Sequence, residues 1–160
     1  MTDESRPDDE TPKERADREL IELLNELRVV LPGVTVLLAF LLAVPFANGW
    51  QRVTPFQRDV FVVAFLAAAV SVVILTAPSS LHRLRFRQGD KTEVVKLGNA
   101  LTIAGIAVSA IALGAVVLLV VDSVLSLTAA IAATAALFVV LVSLWYGLPL
   151  AVALRNRESR

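Results

Sequence analysis

A chain of 160 residues that is 56% hydrophobic, with a mean hydropathy of +0.71, carries too much apolar surface to stay dispersed as a soluble domain. Its 15 Lys and Arg balance 15 Asp and Glu, and its acidic N-terminus does not suggest the dense basic surface that nucleic-acid binding needs. Without cysteine there is no disulfide, no thiolate nucleophile and no Cys-ligated metal.

The charges are segregated. Residues 29–51, 60–81, 97–121 and 123–154 contain no Asp, Glu, Lys, Arg or His. Crossing a hydrocarbon core of ~30 Å takes ~20 apolar residues in a helix. The first two runs meet that length, and the third exceeds it a little. The fourth is too long for one upright span, so its end is expected to kink, tilt or lie in the interface. Transmembrane strands would alternate apolar and polar residues; these runs are apolar all round and rich in Ala, Leu and Val. The expected fold is therefore all-α, an integral membrane four-helix bundle preceded by a cytoplasmic amphipathic helix.

Residues 1–11 are acidic and polar, the composition of a disordered tail. Residues 1–28 hold ten acidic and five basic side chains. A cleaved signal peptide would instead place a short basic segment directly before its apolar core. Thr11 stands as an N-cap, with Pro12 at the first helical position and Glu14 completing a capping box. Over 12–28 and into the first span, Leu20, Leu23, Leu24, Leu27, Val30 and Leu31 recur at three- and four-residue spacing, one apolar stripe on a helix. Glu14–Arg18, Arg15–Glu19 and Arg18–Glu22 are opposite-charge pairs on its wet faces. This segment is expected to lie at the membrane surface, joined to span one by a bend at Pro32-Gly33. The pattern leaves open whether the stripe faces lipid, the bundle or another chain.

The transmembrane domain covers 29–154. Span one, 29–47, ends in the turn-rich stretch Pro45 to Gly49, followed by Trp50. Span two, 57–77, opens beside Arg58 and Asp59 and is expected to stop at Pro78. Span three, 97–121, belongs to a helix starting near Lys91, where Asp90 and Glu93 have capping-box spacing. Span four, 124–148, follows a tight turn at Asp122-Ser123, so spans three and four form an antiparallel hairpin. Trp145 and Tyr146 suit an interfacial belt, Pro149 suits a kink, and residues 155–160 form a short tail. No internal repeat is visible.

Four spans place the N-terminus, the 78–96 connection and the C-terminus on one side. That side holds 13 Lys and Arg, against only Arg52 and Arg58 on the other. The positive-inside rule then predicts an inner (cytoplasmic) membrane protein with both termini cytoplasmic.

Three groups of residues are candidates for function. Arg83, Arg85 and Arg87, interleaved with apolar residues near His82, suit anionic lipid headgroups or an acidic partner segment; the plain alternative is orientation charge. Histidine changes charge near neutral pH, but a lone one makes no metal site. Asp59 and Asp122 stand at the outer ends of spans two and three. Cation-coupled carriers place such carboxylates nearer the midplane, so end-of-helix charge, with Asp59 near Arg52 or Arg58, is the plain reading. On span three, Asn99, Thr102, Gly105 and Ser109 share one face, and on span four Thr128, Ala132, Ala135, Val139, Ser143 and Tyr146 share another. Gly105-x-x-x-Ser109 and Ala110-x-x-x-Gly114 have the spacing that lets helices approach closely. These faces are expected to pack the three–four hairpin, or else to line a polar pathway.

Nucleophilic catalysis needs a base beside the serine, and the only histidine, His82, lies in the cytoplasmic loop; no phosphate loop, paired-carboxylate site or zinc motif is present. An enzyme is not expected, nor a cofactor or bound metal. Membrane lipids and a homo-oligomer or membrane-protein partner are the expected contacts. The leading functional expectation is a non-enzymatic membrane protein acting through helix packing, self-association or partner contact. The alternative is a small transporter or channel, exchanging cations for protons.

Residues 18–34, RELIELLNELRVVLPGV, resemble the opening of an uncharacterised bacterial family of small four-span membrane proteins. The blocks FLLAVPF (40–46), QRDVF (57–61), APSSLHRLRFR (77–87) and WYGLPL (145–150) are similar to it as well. The resemblance implies the same four-helix layout. Some members are labelled sodium:proton antiporters, a label with no site motif to place on these residues.

Overall fold

The computed structural model describes residues 12–85 and 91–147. They form four helices, α1 (Pro12–Ala43), α2 (Pro55–Arg85), α3 (Lys91–Val124) and α4 (Leu127–Val142). All four are long and apolar enough to cross a membrane, at Ile21–Phe46, Pro55–Ser80, Val95–Val124 and Leu127–Trp145. The all-α, four-span expectation holds. The acidic tail, the Thr11 and Asp90 caps, Arg87, Pro149, Leu150–Leu154 and residues 155–160 lie outside the described residues. One end of the molecule, where α1 and α3 begin and α2 finishes, is here the basic end; the other is the far end.

Neither Pro32, where a bend is expected, nor Pro78, where span two is expected to stop, ends a helix. The amphipathic segment and span one are a single helix, with Pro32 inside it. An interior proline removes a hydrogen bond and crowds the preceding turn, at a cost of roughly 3 kcal/mol. Leu23 and Leu27 before it and Val34 and Leu41 after it are all buried along one stripe. Packing on both sides of Pro32 keeps the helix continuous. The open question about the Leu20–Leu31 stripe is settled for its central members, since Leu23 and Leu27 cluster with Leu75 of α2. Arg18 and Glu22 form the expected i,i+4 ion pair at 3.4 Å on the exposed side.

Likewise α2 continues past Pro78 to Arg85. Pro78 is fully buried. A Cβ placed on Gly98 of α3 would sit 3.7 Å from the Pro78 ring and 3.6 Å from Leu23 Cδ1, so three helices meet there.

At the far end, α1 passes through a 3₁₀ turn, Val44–Phe46, and a second, Trp50–Arg52, before α2. Gly49 joins them at φ +115, a left-handed conformation that a side chain would strain. Trp50 then stacks edge-on against Phe61, with ring centroids 4.9 Å apart. The turn between α3 and α4 comes later than expected. Helix α3 runs on through Asp122 to Val124, and Ser126, not Ser123, caps α4 by accepting from the Ala129 N–H. The Ser123 hydroxyl bonds back to the Val120 carbonyl, inside the last turn of α3.

Two apolar clusters hold the bundle together. Leu41, Phe61, Ala64, Ala68 and Ala112 join α1, α2 and α3 toward the far end, and Leu23, Leu27, Val34 and Leu75 join α1 to α2 toward the basic end. Helix α3 packs most closely along α2, while α4 packs against α3 alone among the described helices.

Candidate functional sites

A buried serine hydroxyl joins α2 to α3 within the spans. Ser71, wholly buried in span two, donates its hydroxyl to the Gly105 carbonyl at 2.8 Å. That bond needs two helix backbones very close together, and Gly105 permits it. A Cβ there would stand 2.7 Å from both Cγ and Cδ2 of Leu75. Thr102, 4% exposed, bonds to the Gly98 carbonyl, and Ser109 to that of Ile106.

The face Asn99–Thr102–Gly105–Ser109 was expected to pack the three–four hairpin. Instead Gly105 meets α2, through Leu75 and Ile74. The small face of span four also points elsewhere: Thr128, Ala132, Ala135, Val139 and Ser143 are all exposed. The α3–α4 contact uses the larger Phe138, whose ring fills the notch over Gly114. A ring seated over a glycine buries more apolar area than two alanine faces, which explains the choice of side. Ser71 was absent from the sequence-based candidates, although a lone serine in an otherwise aliphatic run, Val70-Ser71-Val72, is a readable signal for an interhelical bond.

A polar junction closes the far end. The Gln57 backbone N–H donates to Thr54 Oγ1 at 3.2 Å, and the Thr54 N–H donates to Gln57 Oε1 at 3.1 Å, a reciprocal cap on α2 with Pro55 at its first position. The other end of the same amide, Nε2, donates to Asp122 Oδ2 at 2.9 Å, linking α2 to α3. A carboxylate near a helix C-terminus opposes the helix dipole, so a donor from the neighbouring helix offsets that cost. The signature Thr54-Pro55-Phe56-Gln57 is legible in the sequence, but its reach to Asp122 is not. Gln57→Leu should destabilise the protein by about 1–3 kcal/mol, and Asp122→Asn, which keeps an acceptor, by less. Equilibrium unfolding in detergent with a double-mutant cycle checks this: additive losses would show that the two side chains do not cooperate.

The remaining candidates are spread out. Asp59 is exposed and, among the described residues, pairs with neither Arg52 nor Arg58. Arg83 and Arg85 fall in the last turn of α2, so the basic segment begins as helix and not as loop. Asn99 lines a cleft of about 320 Å³ at the basic end with Glu19, Glu22 and Glu26 of α1 and Lys96 of α3. It stands on the same helix as Asp122, roughly 35 Å away at 1.5 Å per residue. Those two cannot form one site within a protomer. Among the described residues no three acidic or histidine side chains converge to hold a metal ion.

Four apolar helices of spanning length, joined by polar turns, define a multi-pass α-helical membrane protein. Residues 9–149 match a family of unknown function, DUF6328, and the chain belongs to that family. This agrees with the uncharacterised family that its sequence blocks resemble. No curated protein and no solved structure matches the chain.

Proposed function

We propose that this chain is a non-enzymatic membrane protein that works by helix packing and self-association, with both termini cytoplasmic. One observation carries the reading: among the described helices α4 packs on α3 alone, and no other described helix covers the rest of its circumference. That surface carries Thr128, Ala132 and Ala136 at four-residue spacing, beside the exposed Ile131, Val139 and Val140. Small residues at this interval let a second helix come close, and van der Waals packing then drives association in lipid. The hydroxyls of Ser71, Thr102 and Ser109 are engaged with backbone carbonyls within the bundle, which further supports packing over a polar pathway.

A cysteine-free chain makes the test direct. Ala132→Cys and Ala136→Cys should each give an oxidation-linked dimer in liposomes, whereas Ala130→Cys, on the buried side, should not. Protein that stays monomeric in both variants and in single-molecule photobleaching would sink the proposal. The alternative, cation:proton exchange, draws on the half-buried Asp122 held by Gln57. It requires proteoliposomes to dissipate an imposed proton or sodium gradient, with Asp122→Asn slowing the flux. We expect no flux above protein-free vesicles. A reporter fused after Arg160 should be active only in the cytoplasm, and external activity would reverse the topology.

A further inference from the structure

Helix α1 is flanked at the basic end by two clefts of nearly equal size and opposite character. The one toward α3 carries three glutamates and Lys96. The one toward α2, about 330 Å³, has Arg28 as its sole charged residue among the described ones, with the hydroxyls of Thr76 and Ser79 and apolar walls that include Leu27, Leu31 and Leu75. We propose that this α1–α2 cleft binds one anionic phospholipid, its phosphate held by Arg28 and Ser79 and the upper part of one acyl chain lying along Leu31 and Leu75.

The charge argument starts on the helix itself. Residues three and four away from Arg28 are Leu24, Asn25, Leu31 and Pro32, so no carboxylate can reach it along α1. It has no ion-pair partner among the described residues. The Ser79 hydroxyl likewise has no hydrogen-bond partner among them, whereas Thr76 already donates to Val72 and Val73. Pro32 has no N–H to give the Arg28 carbonyl, which leaves an additional acceptor at the cleft for a headgroup hydroxyl.

Depth supports the same occupant. Arg28 immediately precedes the uncharged run of span one, and Ser79 lies at the end of the second membrane span, Pro55–Ser80. Helical side chains lean toward the helix N-terminus, so Arg28 reaches toward the basic end, where headgroups lie, while Leu31 and Leu75 continue into the hydrocarbon. A free phosphate would leave those walls unused. The volume is at the small end of ligand clefts, enough for a glycerophosphate and the first methylenes of one chain.

Native mass spectrometry of the full chain in detergent, titrated with phosphatidylglycerol or phosphatidylcholine, tests this. The first phosphatidylglycerol adduct should bind about five-fold more tightly than phosphatidylcholine, the preference one interfacial cation confers. Arg28→Gln should abolish that preference, Arg28→Lys should keep most of it, and Lys96→Gln should leave it unchanged. Thr76→Phe keeps the charge and fills the groove, so it should also lose the preference. Water-soluble glycerol phosphate should give no adduct. Equal affinity for the two lipids, or a preference that survives Arg28→Gln or Thr76→Phe, overturns the site. Glycerol phosphate binding as well as the lipid would make it a phosphate site instead. Should Arg28→Gln fail to fold, Thr76→Phe decides alone, with circular dichroism confirming helicity.

Discussion

Replacing Gly105 with leucine should separate α2 from α3 and abolish the folded bundle, and alanine alone should already cost about 1–3 kcal/mol. Two effects oppose each other at this position. Alanine is the better helix former by about 1 kcal/mol. Against that, its methyl would stand 2.7 Å from two atoms of Leu75, a side chain that is 1% exposed, and 3.3 Å from Ile74. Carbon atoms pack best at roughly 3.5–4.0 Å. One of the Leu75 atoms is Cγ, which rotation about χ2 leaves in place, and the buried side chain has no free space into which to change χ1, so the helices must part. Parting them also lengthens the Ser71 bond to the Gly105 carbonyl. Gly114 gives the comparison. An alanine methyl there would press on the Phe138 ring at 2.6 and 2.8 Å, but among the described helices α4 contacts only α3, which leaves it freer to swing outward. Gly114→Ala should therefore cost less than Gly105→Ala. Equilibrium unfolding of both variants in mixed micelles decides the order, and a Gly105→Ala protein as stable as the parent would show that the α2–α3 contact is looser than described.

The second large effect is expected at the point where α1 docks. Leu75→Ala should destabilise the protein by about 2–5 kcal/mol, through lost burial and the cavity left behind. Leu27, buried in the same cluster, should behave similarly. Because the two side chains share that cluster, the double variant should depart from additivity by roughly 0.5–3 kcal/mol. Ile21, on the same helix but 60% exposed, is the control, and Ile21→Ala should stay within about 0.5 kcal/mol of the parent. Comparable losses at Ile21 and Leu27 would mean that the stripe is not docked on the bundle.

Hydropathy and length alone identify all four spans, because a bilayer tests only those two properties. Helix ends were misplaced at Pro78 and Ser123. In each case a local breaker was outweighed by packing against residues distant in the chain, or by a better cap three positions on. The Thr54–Gln57 cap was readable, yet its bond to Asp122 joins residues 65 positions apart. The basic end shows the same limit, since Arg28 gains meaning only from the cleft that Thr76 and Ser79 of α2 complete.

The sequence by itself determined the class of protein, the number of spans and the confinement of charge to their ends, since each follows from transfer energies summed along the chain. Only the tertiary structure decided which faces meet. In lipid every face of these helices is nearly equally apolar, so hydrophobicity cannot choose partners. Shape and hydrogen bonding choose instead: the notch at Gly105 for Leu75 and Ser71, the notch at Gly114 for Phe138, and the amide of Gln57 for Asp122.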